Sequence, residues 1–126
     1  MSGVVKEAEA IIKDLPKNPK GKMFLTRSQI RKFLSGVSRI ENKYAGQSSQ
    51  SRDSSTLPDN IANEIEYLKI RIAYQAGRER SVNEFEKKAN LVKRIDAIGN
   101  DREKFSNFCR FVEALVAYHR YYGGED

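Results

Sequence analysis

The amino-acid sequence predicts an all-α protein, a compact antiparallel bundle of about five helices. Apolar residues recur at intervals of three and four in five separate segments, which is the spacing of one helix face. No segment shows a convincing alternation of apolar and polar residues of the kind that is typical of a strand. Charged residues make up 32% of the 126 residues and apolar residues 39%, which suits one domain, residues 1–126, with a core of its own.

The first two predicted helices are separated by a basic loop that begins at Pro16. The first covers residues 4–15, and proline ends it because its backbone nitrogen has no hydrogen to donate. The second begins with a capping box, in which the Thr26 hydroxyl accepts a hydrogen bond from the Gln29 backbone N–H. Its inward stripe is Ile30, Phe33, Leu34, Val37, Ile40 and Tyr44. Its opposite face carries Lys32, Arg39 and Lys43, so this helix is expected to be apolar inward and cationic outward.

The remaining three helices follow a Ser- and Gln-rich stretch, residues 46–57, which predicts a mobile loop because it cannot bury a core. The third helix runs from Pro58 to a left-handed cap at Gly77. The fourth is expected to begin with a second capping box at Ser81 and to end before Gly99. The fifth begins with Asp101 as its N-cap. Its inward stripe is Phe105, Phe108, Cys109, Val112, Leu115 and Val116.

The positive charge of the chain is concentrated in one segment. The net charge is +6, and residues 16–44 hold eight basic residues against the single acid Glu41, a net of +7, so the rest of the chain sums to −1. A local positive patch is typical of a protein that binds a polyanion. A well-solvated surface that keeps the protein soluble is the alternative.

Few side chains in this sequence are suited to catalysis or metal binding. Cys109 and His119 are ten residues apart, about 15 Å on one helix, so they cannot share a metal ion. Cys109 lies on the inward stripe, where a free cysteine behaves as a small hydrophobic residue. His119 is either favoured in its charged form by the end of the last helix or packed against the core. We therefore expect no catalytic residue, no metal and no cofactor.

Neither a membrane span nor a disulfide is expected. No run of about 18 apolar residues occurs in the chain, and the N-terminus lacks the layout of a signal peptide. One cysteine cannot form an internal disulfide, which fits a reducing cytoplasm.

Two cationic ridges are candidates for contact with nucleic acid. Lys32, Arg39 and Lys43 form one ridge on the second helix, are interleaved with serines and could bind a phosphodiester backbone without reading bases. Arg71 and Arg78 on the third helix are spaced to lie in line with Gln75. Five aromatic residues could stack on bases or, as is more common in a bundle, pack in the core or at an interface: Tyr67, Tyr74, Phe111, Tyr118 and Tyr122.

Three blocks of the sequence resemble a known family. They are residues 24–34 (FLTRSQIRKFL), residues 67–78 (YLKIRIAYQAGR) and residues 108–124 (FCRFVEALVAYHRYYGG). In order and spacing they are similar to the small subunit of the type III-A CRISPR effector, the Csm complex. The resemblance covers most of the chain from Phe24 onwards.

The resemblance implies a non-catalytic helical protein of the prokaryotic cytoplasm that enters the effector in more than one copy. Such subunits form an inner filament and support the duplex of crRNA and target RNA through basic, sequence-independent contacts. Together with the two ridges, it predicts these RNA-binding residues: Arg31, Lys32, Arg39, Lys69, Arg71 and Arg78. Contacts with copies of itself and with other subunits are expected at Arg110, Phe111, Tyr118, Arg120 and Tyr122.

Two other functions remain open at this point. The protein could be an assembly adaptor whose positive patch meets an acidic protein surface, with no direct contact with RNA. It could also be a small enzyme, for instance a nuclease, although the residues argue against this.

Overall fold

The structure is a computed structural model that describes residues 2–47 and 55–123, and it confirms the all-α prediction. Within these residues there are two isolated β-bridges and no strand. Most of the predicted Ser- and Gln-rich loop, residues 48–54, lies outside the described residues. The described helices are α1 (Ser2–Lys13), α2 (Arg27–Ala45), α3 (Asp59–Arg78), α4 (Arg80–Ala89), α5 (Leu91–Ile98) and α6 (Arg102–Tyr121).

Helix α6 packs against three of the other helices, α1, α2 and α5. Its buried residues are Phe105, Phe108, Cys109, Phe111, Val112, Leu115 and His119. Helix α3 packs against α2, α4 and α5. One cluster of buried apolar side chains contains residues from all six helices, so the helices share a core. None of the described helices combines the length and the apolar character that crossing a membrane requires.

The predicted start of α2 is confirmed. The Gln29 backbone N–H donates to the Thr26 hydroxyl at 3.1 Å, and the Thr26 backbone N–H donates to the Gln29 side-chain oxygen at 2.8 Å. The predicted N-cap of α6 is confirmed as well, because the Asp101 carboxylate accepts a hydrogen bond from the Lys104 N–H at 2.9 Å. Both caps use short-range bonds that the sequence pattern encodes directly.

The junction between α3 and α4 differs from the prediction at two residues. Gly77 is helical and not left-handed, and α3 continues to Arg78. Ser81 does not cap α4, which begins at Arg80; its hydroxyl donates instead to the Gln29 side chain at 3.0 Å. The two helices are joined by Glu79 alone, in an extended conformation, so this junction needs neither a glycine cap nor a hydroxyl cap.

The predicted fourth helix is divided into α4 and α5 at Asn90. This residue has φ 53° and ψ 45°, the left-handed conformation that asparagine adopts more readily than most residues. Its N–H bonds to the carbonyls of Glu86 and Lys87 and closes α4. The Glu86 carboxylate then accepts a hydrogen bond from the Val92 N–H, in the first turn of α5, at 3.3 Å. The break redirects the chain without interrupting the apolar spacing that predicted one helix.

Helices α2 and α3 approach each other closely at Gly36. A Cβ atom added to Gly36 would lie 3.1 Å from Leu68 Cδ1, which is tighter than ordinary packing. Leu68 is itself buried, so it has little room to move. Glycine at this position therefore sets the separation of the two helices.

We expect opposite effects from substitutions at two of the helical glycines, Gly36 and Gly77. Gly36→Val should lower the free energy of unfolding by about 1–3 kcal/mol, since the added methyl groups push against Leu68. Gly77→Ala should raise it by about 0.5–1 kcal/mol, because nothing lies within 4 Å of the added Cβ and alanine favours a helix. Urea unfolding of the two variants and the unsubstituted protein measures both changes. Wild-type stability in Gly36→Val would contradict the close approach.

Candidate nucleic-acid interface

Helices α2 and α3 form the two walls of an open groove of about 700 Å³, which we call the α2–α3 groove. Its base contains buried apolar residues, among them Phe33 and Leu68, together with Gly36. The α2 wall contributes Ser28, Gln29, Lys32, Ser35 and Arg39. The α3 wall contributes Tyr67, Ile70, Arg71, Tyr74, Gln75 and Arg78. The groove therefore brings together most of the two cationic ridges that the sequence predicted separately. Lys43, the last cation of the α2 ridge, lies outside the lining, and its ammonium is 3.2 Å from a Glu64 carboxylate oxygen.

The charge of the groove is strongly positive. Lys32 and Arg39 on one wall and Arg71 and Arg78 on the other are all exposed, and Glu79 is the one acid among the lining residues. Within residues 2–47 and 55–123, no carboxylate forms an ion pair with any of these four cations. Their charges are thus available to an anionic partner.

The α3 wall also exposes two tyrosine rings. Tyr67 is 54% exposed and Tyr74 is 62% exposed. The Arg71 guanidinium lies 5.1 Å from the centroid of the Tyr67 ring, and the Arg78 guanidinium lies 5.5 Å from that of Tyr74. Each arginine is four residues after its tyrosine, so each pair occupies one turn of the helix.

Two of the predicted RNA-binding residues lie outside the groove lining. Arg31 is exposed on α2. The Lys69 ammonium lies 2.5 Å from an Asp96 carboxylate oxygen and 3.1 Å from one of Glu66. Hydrogen bonds to Asp96 and then to Glu66 raise the pKa of Lys69. Because two carboxylates already offset its charge, Lys69 has less charge to offer a phosphate than the four groove cations.

The predicted subunit-contact residues of α6 divide into exposed and enclosed side chains. Arg110 and Arg120 are exposed, and Tyr118 is half-buried. Phe111 differs from the expectation, because its ring is 1% exposed and lies under the Arg94 guanidinium at 3.9 Å. Its ring therefore packs within this chain and presents no free surface to a neighbouring subunit.

Tyr122 links the end of α6 to α1. Its hydroxyl donates a hydrogen bond to the Glu9 carboxylate at 2.5 Å, which raises the pKa of Tyr122 to about 12. Its ring stacks on Tyr118 with the centroids 6.1 Å apart. The hydroxyl and the ring of Tyr122 thus make contacts within this chain that hold the end of α6 against α1.

Two exposed aromatic residues were not among the predicted contact residues. Tyr121 is 78% exposed and Phe24 is 51% exposed. Tyr121 is not on the apolar stripe of α6 that includes Val112 and Leu115. Its position in the helical repeat therefore indicated an exposed side chain. Both rings are candidates for contact with other proteins.

The one cysteine of the chain is enclosed. Cys109 is buried, and burial, followed by the nearby Glu41 carboxylate, raises the pKa of its thiol. In the described part of the chain, no three His, Cys, Asp or Glu side chains lie close enough together to hold a metal ion.

His119 is fully buried in the last turn of α6. Its Nε2 lies 2.6 Å from the Leu25 carbonyl oxygen, so Nε2 carries the hydrogen and donates it. The other ring nitrogen, Nδ1, is buried and has no hydrogen-bond partner among the described residues. A second proton would sit on Nδ1 without an acceptor. Burial therefore lowers the pKa of His119, with a further contribution from the positive charge of Arg27.

The fold and the groove define a small all-α protein with an unpaired cationic surface of the kind that meets a polyanion. Comparison with known proteins is more specific. The profile of the family described as Csm2 Type III-A matches residues 1–125. The chain therefore belongs to the Csm2 family of type III-A CRISPR systems, which confirms the predicted resemblance to the small subunit of that effector.

Three relatives support this membership, each named "CRISPR system Cms protein Csm2". The one from Streptococcus thermophilus is 41% identical over 122 residues, which cover 97% of this chain and 93% of the relative. The one from Mycobacterium tuberculosis (strain CDC 1551 / Oshkosh) is 36% identical with the same coverage. The one from Enterococcus italicus is 34% identical over 100 residues, 78% of this chain and 68% of the relative.

We expect the protein to lose stability as the pH falls below about 6.5. Between the ordinary pKa of histidine and the lowered pKa of His119 in the folded protein, the unfolded chain binds a proton at this residue and the folded chain does not. The free energy of unfolding therefore decreases as the pH decreases. The slope approaches about 1.4 kcal/mol per pH unit until the lowered pKa of the folded state is reached. Urea unfolding between about pH 7.5 and 5.5 measures this dependence.

His119→Gln is the matched control for this dependence. Glutamine keeps a side-chain N–H that can donate to the Leu25 carbonyl, and it does not titrate. His119 is the one histidine of the chain, so the variant should show a nearly flat profile over the same pH range. An equally steep profile in this variant would refute the assignment to His119.

Proposed function

We propose that this protein is a non-catalytic subunit that supports the paired crRNA and target RNA through sequence-independent contacts in the α2–α3 groove. The observation that carries the proposal is the convergence of Lys32, Arg39, Arg71 and Arg78 in one groove, with no carboxylate among the described residues paired to any of them. Phosphate groups are among the strongest partners of such cations.

The groove chemistry is suited to a backbone and not to a base sequence. Lys32 and Arg39 are seven residues apart on α2, about 10.5 Å along the helix axis, so they can engage separate phosphates of one strand. Ser28 and Ser35 supply hydroxyl groups beside them that can donate to phosphate oxygens. In a guided effector, base pairing reads the target and the protein needs to recognise only the backbone.

Other surfaces are available for the remaining subunits and for copies of this chain. Tyr121 and Phe24 expose rings outside the groove lining, and Arg110 and Arg120 are exposed on α6. Aromatic residues and arginine are enriched where protein surfaces meet. These residues support a subunit that contacts protein on other surfaces while its groove holds RNA.

The absence of catalysis is part of the proposal. The one thiol is buried with a raised pKa, and the one imidazole is buried with both nitrogens enclosed, so neither reaches a substrate at the surface. A purified preparation should not cut RNA with added Mg²⁺ or Mn²⁺. Cleavage that disappears on substitution of one carboxylate would establish an enzyme instead.

We expect Lys32→Ala with Arg39→Ala to weaken RNA binding about equally for unrelated RNA sequences. Each lost phosphate contact should reduce the slope of log affinity against log salt by up to about 1. Fluorescence anisotropy of the purified chain with labelled RNA duplexes, titrated at several salt concentrations, measures both quantities. Circular dichroism should show an unchanged fold, because both side chains are exposed.

The matched control is Lys87→Ala with Lys93→Ala. These exposed lysines lie on α4 and α5, outside the groove lining, and the double variant loses the same net charge. If the groove variant and this control lose affinity equally, general electrostatic attraction explains the binding and the groove does not. If the wild-type protein shows no salt-dependent RNA binding, the proposed RNA-supporting function is wrong, and the alternative of an assembly adaptor with an acidic protein partner replaces it.

A further inference from the structure

The two exposed tyrosines of the α2–α3 groove are not explained by contact with phosphates. Phosphate oxygens need cations and hydrogen-bond donors, which the groove already supplies. Tyr67 and Tyr74 nevertheless expose more than half of their surface in the same groove, with the apolar Ile70 between them. Exposed rings beside cations are the combination that single-stranded nucleic acid binds, because each base has a flat face that stacks on a ring.

Each tyrosine is held beside an arginine that can also contact the RNA. The distances of 5.1 Å for Arg71 over Tyr67 and 5.5 Å for Arg78 over Tyr74 are within the range of a cation–π contact. The guanidinium limits the motion of the ring and leaves more than half of the side chain open to solvent. A base that stacks on the ring would therefore have its own phosphate within reach of a positive charge.

The tyrosines on the α3 wall and the cations on the α2 wall have the same seven-residue spacing. Tyr67 and Tyr74 are seven residues apart, as are Lys32 and Arg39 on the facing helix. Seven residues rise about 10.5 Å, and at the roughly 3.4 Å per nucleotide of a stacked DNA strand this spans about three bases. In a duplex those bases stack on one another and pair, so their faces are closed to a side chain.

We propose that the α2–α3 groove takes a single-stranded segment of RNA, with one unpaired base on Tyr67, one on Tyr74 and the intervening phosphates between Lys32 and Arg39. This rests on the proposed function, since the phosphate contacts are the same. The groove cations hold the backbone of paired RNA, and an unpaired segment of either strand makes the two stacking contacts in addition. The positive charge of the lining, four cations against Glu79, selects a polyanion over an apolar peptide.

The test uses the full chain and an RNA of about 12 nucleotides, presented either as a single strand or paired with its complement. Wild-type protein should bind the single strand more tightly. Tyr67→Ala and Tyr74→Ala should each weaken single-strand binding by roughly fivefold or more and duplex binding much less, because a paired strand offers no open base face to the ring. Tyr67→Phe and Tyr74→Phe keep a ring and should keep the affinity. Tyr121→Ala, a tyrosine outside the groove lining, should change nothing.

A spectroscopic readout reports stacking directly. The chain has no tryptophan, so Tyr67→Trp introduces a single indole whose fluorescence should be quenched by the single strand and not by the duplex. If the alanine variants bind the single strand as wild type does, the inference fails, whereas a loss confined to Lys32→Ala with Arg39→Ala leaves the proposed function standing. Equal loss of single-strand and duplex binding on Tyr→Ala would also overturn the preference.

Discussion

The ring of Phe33 joins the core of the protein to the surface that we propose binds RNA. It meets the Phe85 ring edge-on at 6.2 Å and the Phe108 ring edge-on at 6.3 Å, so it fixes α2 against both α4 and α6. Aromatic pairs of this geometry stabilise by about 0.5–1.5 kcal/mol beyond the area they bury. Phe33 also lies at the base of the α2–α3 groove, beside Lys32. The positions of the groove cations therefore depend on the packing of the core.

The helices themselves could be predicted from the sequence because their signals are local. The apolar stripe of α2 and the capping box at Thr26 involve residues three or four apart, and both are present in the structure. The break at Asn90 could not be predicted, since the apolar spacing continues through it. Ser81 was wrongly expected to cap a helix because its hydroxyl bonds to Gln29, 52 residues away, and no local pattern shows such a partner.

The candidate site was predictable in its parts and not in its arrangement. The cationic ridges of α2 and α3 follow from helical spacing, but their meeting in one groove depends on the close approach at Gly36. Lys69 was expected to contact RNA, and its ion pair could not be foreseen from local spacing, because its partner Asp96 is 27 residues away on α5. The exposure of Tyr67 and Tyr74 also depends on which faces of α3 are covered by other helices. Sequence patterns thus indicated which residues are cationic, and tertiary packing decided which of them remain unpaired.

The enclosed thiol of Cys109 makes this chain convenient for site-directed labelling. Alkylating reagents such as maleimides react with a thiolate, and a buried thiol with a raised pKa offers almost none at neutral pH. A cysteine introduced at an exposed position would therefore react with a dye or spin label ahead of the native one, which can stay in place within the core. Distances from such a label to one on a partner molecule could then be measured without first removing a residue from the hydrophobic interior.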